Sequence, residues 1–322
     1  MSGAWWVAWA WLGDPDEEGA ASGVVLRHEG GVLVSVETGV AAPPAGAHVL
    51  HGVALPGLVN AHSHAFHRAL RGRAGGGDFW EWREAMYRLA AALDPSSYHA
   101  LARATFAEMA LAGITTVHEF HYLHQPAGMD DAAVVAAAEA GVRLVLLDTC
   151  YLRAGFDGRL SPVQRRFSDG DADRWAARAD AVAARYPDVV VGAGIHSVRA
   201  VDPPSMATVA GWAAKRGVPL HLHLSEQPAE NEACLAATGR TPTQLCDEAG
   251  VLGPRTTAVH ATHLSRDDIE RLGRSGVAAC LCPTTERDLA DGVGPAAGER
   301  RLLHLVLPAG TAPGGAPGHR DP

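Results

Sequence analysis

From Gly52 onward, short apolar runs alternate with segments of helix length, and this rhythm limits the fold of the 322-residue chain more than any other feature. A strand followed by a helix, repeated, is the pattern of β/α units around a parallel sheet. Strand candidates fall at 53–60, 115–120, 143–149, 189–195, 219–224, 256–259 and 276–281. Most are near-continuous apolar runs, as strands buried on both faces require. The helices between them are well punctuated. Asp94 is a natural N-cap, Pro95 suits the first turn and Gly113 supplies a left-handed stop. Tyr98, Leu101, Thr105, Met109 and Ala112 then predict one buried helical face, and later helices are expected to end at Gly141 and Gly217.

A closed barrel of this type takes eight strands and about 250 residues. The run 302–307 is the only candidate for the eighth, and no periodic segment follows it. Past Pro295 the sequence AAGERRLLHLVLPAGTAPGGAPGHRDP turns to Gly, Pro and Ala. Residues 1–55 instead carry short β-like runs at 23–28 and 31–37 around an Arg-His-Glu-Gly-Gly turn. The expected organisation is a small β-sheet domain over 1–55, a β/α barrel over 56–295 and an atypical low-complexity tail over 296–322. The apolar run 4–12 is shorter than the ~20 residues of a membrane span. No basic residue precedes it, and four tryptophans between Trp5 and Trp11 read as a packed strand.

At 47% hydrophobic and a mean hydropathy of −0.01, the chain has the material for a sizeable core. A formal charge of −9 argues against nucleic acid or an anionic membrane as partner. Lys215 is the sole lysine, which argues against a Schiff-base nucleophile. Five cysteines form no C-x₂-C pair and no secreted-type framework, so a reducing, cytoplasmic setting is expected.

The placement of the 17 histidines carries the chemistry. His62 and His64 stand as H-S-H after the first barrel strand, where alternate residues point the same way. His221 and His223 repeat the pattern after the fifth, followed by Glu226, and His260 and His263 follow the sixth. Isolated pairs of this kind merely cap strands. Three groups at the C-terminal strand ends of one barrel converge on its active face, where three or four such donors hold zinc. Some of His118, His121, His124 and His221 are expected to support the ligands rather than bind. Cys282 reads as a small buried residue, Asp16–Glu18 as a solvated loop and Gly75–Gly77 as a flexible turn.

The segments PGLVNAHSHAFHRAL, FWEWREAMY, VHEFHYLH, IHSVRAV, HLHLSEQ, GRTPTQL, VHATH and CPTTERDLADG run in order from residue 56 to 292. Together they resemble the amidohydrolase superfamily and, within it, the formimidoylglutamate deiminases. The resemblance implies an α/β fold, the amidohydrolase-type (β/α)8 barrel, with one zinc ion per chain; iron or manganese would suit the same donors. It assigns His62, His64 and His223 as metal ligands, with His260 and Glu226 as catalytic residues. Arg83 and Arg199 would grip a small dicarboxylate, with His67, Tyr122 and His196 completing the pocket. The implied reaction is hydrolysis of N-formimino-L-glutamate to N-formyl-L-glutamate and ammonia in histidine degradation. A homodimer is implied as well. The alternatives are a superfamily deaminase acting on a heterocycle, for which two cationic grips have less use, or a non-catalytic remnant.

One element of the pattern is missing. The superfamily places an aspartate after strand eight, here within a Ser-Asp-Ser-His-like segment, yet no aspartate lies between Asp291 and Asp321 and the only acid there is Glu299. Asp288 and Asp291 belong to the preceding motif and are not read as substitutes. A truncated or frame-shifted coding sequence with foreign sequence from about 294–297 is therefore expected, with an incomplete barrel and impaired activity.

Overall fold

The computed structural model describes residues 2–13, 19–73, 79–295 and 304–306. Asp16–Glu18, Gly75–Gly77 and all of the tail except 304–306 lie outside them. The chain forms two compact units, Met1–Leu58 and Val59–Pro322.

In the first unit, β1 (Ser2–Ala10), β2 (Ala21–Glu29), β3 (Val32–Glu37) and β4 (His48–Ala54) form one sheet in the order β3-β2-β1-β4. β1 pairs antiparallel with β2 and parallel with β4. The β2–β3 hairpin turns on Gly30 and Gly31, both at positive φ, the conformation that a two-residue turn needs to match strand twist. Val7, Val24 and Val25 are buried, whereas every residue of β3 is exposed. β1 holds Trp5, Trp6 and Trp9, and the Trp6 indole donates to the Val40 carbonyl at 2.9 Å.

The expected first barrel strand, 53–60, is corrected. Val53 and Ala54 finish β4, and β5 (Leu58–Ser63) begins only after Leu55-Pro56-Gly57. Pro56 has no N–H to give a ladder, so a continuous strand cannot pass through it.

The second unit continues with a 3-10 helix (Ala65–Leu70), α1 (Phe79–Ala92), α2 (Pro95–Leu111), β6 (Ile114–His121), α3 (Met129–Ala140), β7 (Arg143–Cys150), a second 3-10 helix (Gln164–Phe167) and α4 (Ala172–Arg185). There follow β8 (Val190–Ile195), α5 (Pro203–Arg216), β9 (Leu220–Leu224), α6 (Pro228–Thr238), α7 (Pro242–Glu248), β10 (Thr256–His260), α8 (Arg266–Ser275), β11 (Ala278–Cys280), α9 (Pro283–Asp288) and β12 (His304–Val306). The eight strands β5 to β12 lie side by side in sequence order, and the pairings from β6 through β12 are parallel. This is the parallel sheet of an α/β barrel, a row with β5 and β12 at its ends. β12 is only three residues long. No helix of the described residues is long and apolar enough to cross a membrane.

Local chemistry sets the helix ends. The Asp94 carboxylate accepts the Ser97 N–H at 2.8 Å in a reciprocal capping box, with Pro95 in the first turn. Gly113, Gly141 and Gly217 all adopt positive φ at helix ends. The buried stripe of α2 is Tyr98, Ala102, Thr105 and Phe106, while Ala112 is exposed as the C-cap. Ala112 therefore leaves the expected face, because the helix ends at Leu111 and Ala112 is its cap rather than part of the stripe.

Behind the sheet, Asp148 of β7 is fully buried. It accepts the Trp175 indole N–H at 2.9 Å and two guanidinium donors of Arg178 at 2.7 and 2.8 Å. Arg178 also pairs with Asp169, so strand, helix and loop share one ionic knot. Removing Asp148 strips the Trp175 indole and two Arg178 donors of their buried acceptor. We expect Asp148→Ala to lower the unfolding free energy by about 3–5 kcal/mol, measured by urea denaturation at pH 7.

Candidate metal and anion-binding site

His62 lies in β5, and His64 follows it as the residue preceding the 3-10 helix; His223 lies in β9. Their Nε2 atoms form a triangle with sides of 3.0, 3.2 and 3.2 Å. His64 Nδ1 lies 3.0 Å from the Phe120 carbonyl, and His223 Nδ1 lies 2.8 Å from that of His196. A carbonyl only accepts, so both Nδ1 atoms carry the proton and donate it. Loss of solvent holds all three imidazoles well below their ordinary pKa, and hence neutral. The Nε2 atoms of His64 and His223 thus face each other as lone pairs. They repel unless a cation sits between them. Zinc–nitrogen bonds of ~2.0–2.1 Å in a tetrahedron put the nitrogens about 3.3 Å apart, which the triangle matches. The carbonyls of Phe120 and His196 that pin the Nδ1 protons are the outer partners such a site uses to fix its tautomers.

His260 ends β10 in a left-handed conformation (φ 67°), as does Ala261 (φ 52°). Its ring stacks over His223 with centroids 5.5 Å apart. Nε2 is 3.5 Å from Glu226 and Nδ1 is 3.5 Å from Glu286. Burial would lower its pKa, but Glu226, Glu286 and Asp291 outweigh burial and push it up to about 9. At neutral pH His260 is therefore an imidazolium between carboxylates.

The ten residues singled out in the sequence all line one cavity of about 690 Å³. At its floor are His62, His64, His223, His260 and Glu226. Along its wall, His67 Nε2 and the Tyr122 hydroxyl are 2.7 Å apart, and the His196 ring packs edge-on to Tyr122 and Tyr151. Arg83 lies over the Trp80 ring at 4.5 Å, and its buried Nε has no hydrogen-bond partner among the described residues. Arg199 is held through Nε by Glu230 at 3.0 Å.

Other histidines do different work. His221 packs on His118 at 5.3 Å, away from the cavity lining, and His263 Nε2 bonds the Asp291 carbonyl at 2.7 Å. His121 and His124 flank the buried Asp130 at 3.0 and 3.6 Å. Cys282 is a buried thiol held well above its usual pKa by Cys280 and by burial, which leaves it a poor nucleophile. The sequence reading missed Arg68, Arg71 and Arg287 on the cavity wall, and Glu286 and Asp291 beside His260. Asp288 and Asp291 were quoted only as part of a motif; Asp288 lines the cavity, and Asp291 lies within ligand distance of Glu226 and His260.

The description of the amidohydrolase family matches residues 53–299. The chain belongs to that family. It is 40% identical over 270 residues to formimidoylglutamate deiminase of Pseudomonas aeruginosa, a match covering 78% of this chain and 59% of that protein. It is 33% identical over 254 residues to 8-oxoguanine deaminase of the same species, covering 76% and 56%. An amidohydrolase from Brucella melitensis superposes at a TM-score of 0.86 with 33% identity, covering 95% of this chain and 71% of that one. An adenosine deaminase from Xanthomonas campestris, solved with bound zinc, shares the fold at a TM-score of 0.79 and 22% identity, covering 94% and 68%. This amidohydrolase chain spans a little over half the length of the two curated relatives.

Two predictions test the site. Replacing His62, His64 or His223 by Ala is expected to cut zinc affinity by more than the ~10–100-fold typical of an outer partner, read by competition with a chelating dye. The second concerns Glu119, whose carboxylate oxygen accepts the Ala65 N–H at 2.7 Å, next to His64. Burial pushes its carboxyl up to about 8, against the downward pull of Ala65, Ser63 and Tyr98. A carboxyl with a raised folded pKa takes up a proton on folding. Its stabilising contribution is full below about 4.5 and is lost as pH climbs toward 8. In metal-free protein, Glu119→Gln should therefore gain stability relative to wild type between pH 5 and 8, measured by urea unfolding.

Proposed function

We propose that this amidohydrolase is a zinc-dependent deiminase that converts N-formimino-L-glutamate and water to N-formyl-L-glutamate and ammonia, in the cytoplasm, as a step of histidine degradation. The observation that carries the reading is the charge of the cavity wall. Five arginines (Arg68, Arg71, Arg83, Arg199 and Arg287) face two carboxylates (Glu226 and Asp288) among the described lining residues, in a chain of net charge −9. A concave, partly apolar site focuses such a field on an anionic ligand. Two carboxylates fit two guanidinium forks, and Arg83 and Arg199 stand on the same cavity wall as the aromatic rings. Five buried, unpaired cysteines support the reducing compartment.

His62, His64 and His223 would hold the metal, which when bound acidifies water and polarises the C=N carbon. The chain's own residues do the rest. Arg83 and Arg199 fix the two ends of the dicarboxylate, so the formimino carbon is held in place rather than found by collision. Tyr122, in contact with His67, and His196 close the pocket around the linking atoms. Glu226 accepts the proton released by water and returns it to the departing nitrogen, and the neighbouring imidazolium of His260 orients the attacked group. Trp82, Tyr87 and Phe167 exclude bulk water. The aspartate that the resemblance places after strand eight has no counterpart between Asp291 and Asp321, so turnover by this chain is expected to be weak.

Similarity to 8-oxoguanine deaminase favours a second reading, an uncharged heterocycle as substrate, which gives the two guanidinium grips no role. The zinc-loaded chain is expected to release ammonia from N-formimino-L-glutamate and not from 8-oxoguanine. Arg83→Met should lower kcat/KM by about 30-fold or more, the cost of leaving a buried charge unpaired. Ammonia release from the heterocycle alone would overturn the proposal. Zinc binding without release from either would mark a non-catalytic scaffold.

A further inference from the structure

Arg199 is fixed at both ends. Its backbone lies in the turn after β8, where Arg153 donates to the carbonyls of Val198 at 3.0 Å, Arg199 at 3.1 Å and Val201 at 3.3 Å. Its side chain reaches the cavity, and Nε donates to Glu230 Oε1 at 3.0 Å. Glu230 stands in the first turn of α6, is 4% exposed and does not line the cavity. A buried ion pair of this kind is weak evidence of a contribution to stability, because desolvation offsets its Coulombic gain. Its geometry has a clearer consequence. A guanidinium has five N–H donors, and holding Nε from behind leaves the four on the two terminal nitrogens. These form the planar fork that matches a carboxylate end-on.

We propose that Glu230 is a positioning residue that sets selectivity for dicarboxylates. It locks the rotamer of Arg199 so that the terminal fork meets one substrate carboxylate without first losing side-chain freedom. This rests on the reading of the cavity as a dicarboxylate site. Arg83, by contrast, is steered by the Trp80 and Tyr87 rings and has only a loose 3.8 Å approach from Glu84. The two grips thus differ in stiffness, and the Arg199 end fixes the register of the ligand.

The test is calorimetric titration of the zinc-loaded 322-residue chain with three probes. These are N-formyl-L-glutamate and the two monoacids that each lack one of its carboxylates, 4-formamidobutyrate and N-formyl-L-2-aminobutyrate. Wild type is expected to prefer the diacid. Glu230→Ala should weaken the diacid about tenfold, the cost of ordering one free arginine side chain on binding. It should weaken equally the monoacid that keeps the carboxylate held by Arg199, and leave the other monoacid unchanged. Glu230→Gln, which retains an oxygen for Nε, should recover part of the loss, and Arg199→Ala should reproduce the Glu230→Ala pattern. Equal weakening of both monoacids, or no weakening, would overturn the role of Glu230 while leaving the dicarboxylate reading intact. A wild-type chain that binds the diacid no better than either monoacid would overturn both.

Discussion

Two neutral imidazoles, His64 and His223, held with their Nε2 lone pairs facing one another are the constraint around which the rest of the unit is arranged. These two Nε2 atoms, 3.2 Å apart, cannot hydrogen-bond each other once their Nδ1 protons are given to the carbonyls of Phe120 and His196. The barrel imposes this cost by rigid means. β5, β6, β8 and β9 supply the two ligand-bearing strand ends and the two carbonyls, and the parallel register of β8 with β9 brings Ile195 opposite Leu222, just short of the His196–His223 contact. A dication would remove the repulsion, and the hydrogen bonds that fix the two rings for it are already made.

The charges around that centre follow one logic. Asp148, Glu230, Glu226 and Glu286 each meet a cation, but the partners differ in what they leave free. Asp148 engages two donors of Arg178 as well as the Trp175 indole, and Asp169 takes two more, which commits that guanidinium to the fold. Glu230 takes only Nε of Arg199 and leaves its outer edge toward the cavity. Glu226 and Glu286 hold His260 as a cation without quenching it. The same ion-pair chemistry encloses the cation at Asp148 and leaves one edge of it open to the cavity at Arg199.

Much of this was legible in the primary structure, for identifiable reasons. Strand ends at His121, Cys150, Ile195, Leu224 and His260 follow from apolar runs that stop at polar residues, and helix stops at Gly113, Gly141 and Gly217 follow from the need for positive φ. The H-S-H and H-L-H pairs announce themselves by alternation, because period two is built into a strand. Pro56 was the local signal that should have divided 53–60 into the end of β4 and the start of β5. Glu286 and Asp291 went unread because nothing in CPTTERDLADG distinguishes a carboxylate turned inward from one turned to solvent. Glu286 accepts the Cys282 N–H at 2.7 Å only because α9 turns back over the strand end.

The sequence by itself determined the β/α rhythm and the strand ends that carry histidines, because periodicity and local turn chemistry act over a few residues. Tertiary structure alone decided which nitrogens face one another, which protons are pinned and which arginines keep an open edge. Those outcomes depend on contacts between residues more than 150 positions apart, such as His62 and His223. They depend also on burial, which sets the charge state of each imidazole and carboxyl only after the chain has closed around it.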